Sequence, residues 1–199
     1  MAPNIIAVLG SPRPAGNTAT LLREAVRGAE DAGCTVETIN IYELEYRGCR
    51  EIFYCMDHDT CRIQDDMIEM YEKFRQMDGL IVAAPIMTMG IPGPLKSFLD
   101  RFQVYYMAKY YRNESFISGE SRKRRRMLFI SIGGMDIPYD FDGAKLTMEA
   151  FGEIIDCPYH DEVLRNDMDR IQDITTRPEV MQAAYEKGAA LCRRAGGGE

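Results

Sequence analysis

The chain alternates short, continuously apolar runs with longer stretches whose apolar residues recur every three or four positions, and that alternation leaves few folds open. Ile5 to Leu9 reads as a buried strand, Thr18 to Ala32 as a helix, and Thr35 to Ile41 as a second strand carried by Val36, Ile39 and Ile41. An amphipathic helix over Asp65 to Gln76 precedes Gly79 to Ala84, a run of the kind buried on both faces of a parallel sheet. Pro94 opens the next helix, where Leu95, Phe98, Leu99, Phe102 and Tyr106 share a face while Lys96, Asp100 and Arg101 point away from it. Met127 to Ile132 is a fourth strand, Asp142 to Phe151 a helix, Cys157 to Leu164 a weak fifth strand, and Pro178 to Arg194 a closing helix. Strands separated by helices build a parallel α/β sheet, covered on both faces, that binds ligands at the carboxyl ends of its strands. The loops after the first, third and fourth strands are therefore the places to look for chemistry.

Size and charge narrow the classes. A chain of 199 residues fits one domain, expected over 1–194 with a frayed glycine-rich tail at 195–199. No apolar run approaches the roughly 20 residues of a membrane span, and no basic segment precedes the first apolar run, so the cytoplasm is the expected location. A net charge of -7 argues against nucleic acid as a partner. Six cysteines without a secretory signal read as reduced thiols, metal ligands or redox groups rather than a disulfide scaffold.

The first loop, Gly10-Ser11-Pro12-Arg13-Pro14-Ala15-Gly16-Asn17-Thr18, leaves a buried strand and enters a helix, where free backbone N–H groups and the helix dipole favour an anion. Ser11, Asn17 and Thr18 supply side-chain donors, Gly10 and Gly16 allow close backbone approach, and Arg13 can cover a phosphate. The stretch fits neither the G-x-x-x-x-G-K-[ST] nor the G-x-G-x-x-G nucleotide fingerprint. A plain helix entry capped by Asn17 is the competing reading.

G-S-P-R-x-x-G-N-T after an N-terminal strand resembles the FMN phosphate loop of the flavodoxin-like NAD(P)H-dependent FMN reductase and iron-sulfur flavoprotein family. The likeness continues through Cys49, Cys55 and Cys61, then Ala84-Pro85-Ile86-Met87-Thr88-Met89-Gly90-Ile91-Pro92-Gly93-Pro94, and on to Leu99-Asp100-Arg101, about the first two-thirds of the chain. The resemblance implies a flavodoxin-like three-layer sandwich with a five-stranded parallel sheet in the order 2-1-3-4-5. It also implies FMN as cofactor and NAD(P)H as co-substrate. Pro85, Ile86, Met87, Thr88 and Met89 would then meet the isoalloxazine ring, with Met87 where an aromatic residue is often found. Ser131, Gly133 and Gly134 would meet its pyrimidine side, where donors stabilise the charge of reduced flavin. No side chain is expected to act as a catalytic residue. Electrons would pass to a quinone, flavin or other small acceptor. The alternative is a non-enzymatic flavin carrier or sensor, although carriers usually show a T-x-T-G-x-T loop and a stacking Trp, and this chain has no Trp.

Iron-sulfur members of that family carry C-x2-C-x2-C-x5-C, whereas this chain has Ile52 at the second position, so no metal is expected. His58 between Cys55 and Cys61 makes Cys3His zinc ligation conceivable at a non-standard spacing. The run Arg122-Lys123-Arg124-Arg125-Arg126 suits either a solvated edge or a site for a 2'-phosphate or acidic partner, the former favoured. Asp136 and His160 are candidates for a proton relay. Tyr105, Tyr106, Tyr110 and Tyr111, with Met107, suggest a subunit interface, and a homodimer or homotetramer is expected.

Overall fold

Strands β1 (Asn4–Leu9), β2 (Thr35–Asn40), β3 (Gly79–Pro85), β4 (Met127–Ile132) and β5 (Tyr159–Arg165) form one parallel sheet in the computed structural model, which describes residues 2–197. Its order is β2-β1-β3-β4-β5, as the resemblance implied. The α-helices are α1 (Asn17–Asp31), α2 (Met67–Gln76), α3 (Gly93–Asp100), α4 (Gln103–Tyr106), α5 (Gly119–Arg124), α6 (Asp142–Ile154), α7 (Met168–Ile171) and α8 (Pro178–Ala195). Alternate residues of each central strand feed two separate cores. Ile6, Val8, Leu80, Val82 and Phe129 join the layer of α2, α3 and α6, while Ile5, Ala7, Ile81, Leu128 and Ile130 join that of α1 and α8. Both faces of the sheet are therefore buried, which explains why β1 and β3 lack polar alternation. In the second layer Gly28 of α1 and Gly188 of α8 let the helix backbones touch, since a Cβ at either would collide with a carbonyl of the other helix.

Four expectations are corrected by packing. The helix opened by Pro94 does not run on in phase: Arg101 N and Phe102 N bond to carbonyls three residues back, and this tightened turn rotates the segment beyond it. Tyr105 thus takes the buried place expected for Tyr106, which lies 40% exposed. Arg101, expected on the polar face, is buried.

Nor is the basic run a uniform solvated edge. Arg122, Lys123 and Arg124 are exposed on α5, a helix that periodicity did not reveal, but Arg125 is fully buried and its Nη2 donates to Phe74 O at 2.9 Å. That carbonyl is one of the last in α2, where carbonyls lack helical donors and a cation is favoured.

The reduced-thiol reading fails for two cysteines, because Cys34 and Cys192 form a disulfide that ties the chain before β2 to the end of α8. Finally, Ala195 is a buried helical residue, so the expected tail starts later, with Gly196 and Gly197 in a turn; Gly198 and Glu199 lie outside the described residues. Among the described residues no helix is long and apolar enough to cross a membrane.

Candidate functional site

A cleft of about 710 Å³ opens at the carboxyl ends of β1, β3 and β4, floored by the three loops singled out from the sequence. In the first loop Gly16 N donates to Arg13 O at 3.0 Å and Arg13 N to Ser11 Oγ at 3.2 Å, forming a tight turn into α1. Ser11, Arg13, Gly16, Asn17 and Thr18 all line the cleft. Gly16, not Asn17, is the N-cap, so no side chain caps the helix. The first-turn N–H groups of α1 therefore meet the cleft with no helical acceptor, and the helix dipole adds positive potential there. Residues with this geometry fit a phosphate monoester, and Arg13 supplies its countercharge.

Asn17 has a second role that the sequence did not show. Its Nδ2 donates to Gln172 O at 2.7 Å and its Oδ1 accepts from Ile174 N at 3.2 Å. These bonds bring the segment after β5 over the start of α1, and Met168, Asp169 and Gln172 form a wall of the cleft. This is also a loop at the carboxyl end of a strand, so the topological rule pointed to it although its residues carry no recognisable motif.

In the second loop Pro85, Ile86 and Met87 line the cleft, whereas Thr88 and Met89 form the tip of a tight turn beyond the lining. Met87 N donates to Gly90 O at 2.8 Å and Gly90 N to Met87 O at 3.1 Å, with φ of 50° at Thr88 and 62° at Met89. Two consecutive left-handed residues define a type I' turn, a conformation that glycine and asparagine adopt readily and a β-branched residue resists. Thr88→Asn is expected to stabilise the cofactor-free protein by about 1 kcal/mol through relief of this strain, measured by denaturant unfolding. No gain would mean that the threonine side chain compensates locally.

The third loop places Gly133 and Gly134 on the cleft, but Ser131 is fully buried and its Oγ donates to Ala84 O at 2.8 Å, bridging β4 and β3 below the site. The turn is held from behind: Gly133, Gly134 and Met135 each offer their carbonyl to an N–H of Met168, Asp169 and Asp167, respectively. Gly134 N–H donates to no group among the described residues, so it is available to a ligand.

The remaining candidates lie elsewhere. His160 stands near the beginning of β5, and the basic run on α5 precedes β4, both at the edge of the sheet opposite the cleft. Burial, then the nearby Arg194 and Arg126, lowers the His160 pKa, so the ring favours its neutral form. Asp136 sits beside the cleft, where its Oδ1 accepts from Asn166 Nδ2 at 3.4 Å.

Cys49, Cys55 and Cys61 do share a small hollow with Ile52 and Arg101. Ile52 lines it at the sequence position where the iron-sulfur members carry their second cysteine, so the hollow offers three thiols where a four-iron cluster normally takes four. Burial pushes the Cys55 thiol pKa up, so the free side chain favours its protonated form. His58 instead stacks on Tyr54 with ring centroids 3.7 Å apart, its Nδ1 at 3.0 Å from Tyr54 O.

The sheet order, together with the uncapped start of α1 and two backbone-lined loops at one edge, defines a protein of the flavodoxin-like fold class. More particularly, the chain belongs to the NADPH-dependent FMN reductase family, whose model matches residues 3–136. An iron-sulfur flavoprotein of Methanosarcina thermophila is 39% identical over 97 residues, 49% of this chain and 51% of the relative. One of Methanocaldococcus jannaschii is 33% identical over 110 residues, 55% of this chain and 57% of the relative. The chain thus spans about half the length of the curated relatives it matches.

Among solved structures, a flavone reductase superposes with a TM-score of 0.70 at 18% identity, covering 97% of this chain and 63% of the other. An NAD(P)H:quinone oxidoreductase from Methanothermobacter marburgensis gives 0.69 at 17%, covering 96% and 100%. An FMN-dependent NADH-azoreductase from Bacillus anthracis in complex with FMN gives 0.65 at 17%, covering 96% and 98%. At these identities the likeness shows the fold.

Proposed function

We propose that this chain is a single-domain FMN oxidoreductase that takes reducing equivalents from NAD(P)H and delivers them to a quinone, a flavin or another small acceptor. The observation that carries the reading is the uncapped start of α1 beside Arg13, opening into a cleft whose other two loops present backbone. Bound FMN would supply the hydride-accepting ring, so no protein nucleophile or base is required. The residues do the holding: Ser11, Arg13, Gly16 and Thr18 at the phosphate, with Asn17 fastening the wall across it. Pro85, Ile86 and Met87 lie along the ring, Thr88 and Met89 shape that loop, and Gly134 donates at the pyrimidine edge, while Gly133, whose N–H is held by Arg165 O, lets the turn approach and Ser131 anchors the strand. One compact anion cradle suits the monophosphate FMN better than FAD.

Arg13→Ala is expected to weaken FMN binding roughly tenfold to a hundredfold, the equivalent of losing a charge-assisted bond of about 1.5–3 kcal/mol. Flavin-fluorescence titration measures it, and an unchanged affinity would place the phosphate elsewhere.

The exposed rings of Tyr106, Tyr110 and Tyr111 support a homodimer or homotetramer built on that face, while Tyr105 and Met107 serve the core. The cytoplasm remains the proposed location; the disulfide weighs against it, since such bonds are uncommon in most reducing compartments. Anaerobic mixing of FMN-loaded protein with NADH or NADPH tests the reductase reading: rapid bleaching of the flavin absorbance is expected. Persistence of the yellow band with both nucleotides would favour the carrier or sensor.

A further inference from the structure

The glycine turn on the cleft has a carboxyl group directly behind it. Asp140 is 1% exposed, and neither of its carboxyl oxygens has a hydrogen-bond partner among the described residues. It packs straight onto Gly133, where any Cβ would collide with Asp140 Oδ2. Asp169, from the segment after β5, packs on Gly134 in the same manner, a Cβ there falling 2.7 Å from its Oδ1. Asp140 thus backs the glycine turn from outside the cleft lining, while Asp169 reaches Gly134 from the cleft wall.

An ionised carboxylate buried without a donor is costly, and a second carboxylate beside it adds to the cost. Burial, and then the charge of Asp169, raises the Asp140 pKa above the ordinary carboxylate range. Because the carboxyl oxygens are closed off from the cleft, Asp140 touches no bound group and acts through the turn.

We propose that Asp140 is a proton-holding positioning residue behind the flavin's pyrimidine edge, kept neutral while the cofactor is reduced, so that electron loading is coupled to proton uptake by this carboxyl. The proposal rests on the FMN reading. A negative charge at Asp140 would oppose the negative charge that two-electron reduction leaves beside the Gly134 amide, and a proton on Asp140 removes that opposition. In the pH interval where Asp140 ionises, adding two electrons therefore draws one proton from solvent to Asp140 in addition to whatever the flavin itself takes. At lower pH the carboxyl is already protonated and only the flavin's own protons are drawn.

Asp140→Asn keeps the shape and removes the charge. In cofactor-free protein, the folded state holds the Asp140 proton more tightly than the unfolded chain does. The wild type should therefore lose melting temperature relative to Asp140→Asn as pH rises above the ordinary carboxylate range, until the folded group has ionised. Asp169→Asn should shrink that loss, which keeps the test usable if the Asp140 variant folds poorly. In FMN-loaded protein, the midpoint potential of the wild type should fall more steeply with pH than that of Asp140→Asn, approaching one proton per two electrons, over the interval that begins where Asp140 ionises in oxidised protein and ends where it ionises in reduced protein. Melting curves that keep a constant offset across pH, or equal slopes of potential, overturn the proposal. Failure to bind FMN overturns the cofactor reading and the coupling with it, whereas the cofactor-free arm reports separately whether the buried carboxyl holds its proton.

Discussion

Arg101→Met is expected to remove about 3–5 kcal/mol of folding stability, the cost of stranding one partner of a buried ion pair. Arg101 is 1% exposed, and its guanidinium grips Asp65 through both Nη atoms, at 2.6 and 3.0 Å, while Nη1 also donates to Arg47 O at 2.7 Å. Asp65 in turn accepts from Arg47 N and from Met67 N at the start of α2. The pair therefore fastens the cysteine-bearing loop and the head of α2 to the end of α3. The double variant Arg101→Met with Asp65→Leu is expected to recover much of the loss, because no uncompensated charge remains. Urea unfolding of the wild type and the three variants closes the cycle; a single-variant loss below about 1 kcal/mol would mean that the pair is solvated as a surface bridge is.

The same pair gives a pH signature. Burial alone would raise the Asp65 pKa, but hydrogen bonds from Arg101, Arg47 and Met67 outweigh it and hold the carboxyl below its ordinary value. A carboxylate depressed in the folded state contributes stability above the unfolded-state pKa and loses it as pH falls through the folded one. The acid limb of the stability curve should therefore flatten in the double variant.

Reducing Cys34–Cys192, or replacing Cys192 with serine, is expected to cost up to about 5 kcal/mol by the loop-entropy relation, since the bond closes a separation of 158 residues. In a chain of this size a loss of that order lowers Tm by roughly 10–20 °C. Before reduction, thiol titration of the unfolded protein should count four free cysteines, namely Cys49, Cys55, Cys61 and Cys157. Six titratable thiols in protein prepared without reductant would show the bond absent. The crossing of α1 and α8 brings the two cysteines together, and its closeness depends on Gly28 and Gly188.

Much of this was legible from residue order. The strands and most of the helices came from periodicity, and glycine, serine and arginine at a strand-to-helix junction marked the loop after β1 as a candidate site, which the structure places on the cleft. The misreadings share one cause. Arg101 and Arg125 look solvated on a local pattern, yet each is buried against partners 36 and 51 positions away. Asn17 looks like a cap, but its partners lie 155 and 157 residues on. Asp140 gave no local signal, because nothing in its own stretch shows that the chain folds it back against Gly133 and out of solvent.

By itself, residue order determined most of the secondary structure, the parallel sheet and the edge where the cleft opens, because propensity, polar alternation and turn chemistry act between near neighbours. Which charges are buried, which cysteines meet and which carboxyl backs the cleft were decided only by tertiary structure, since desolvation and pairing depend on residues that the sheet brings together from distant parts of the chain.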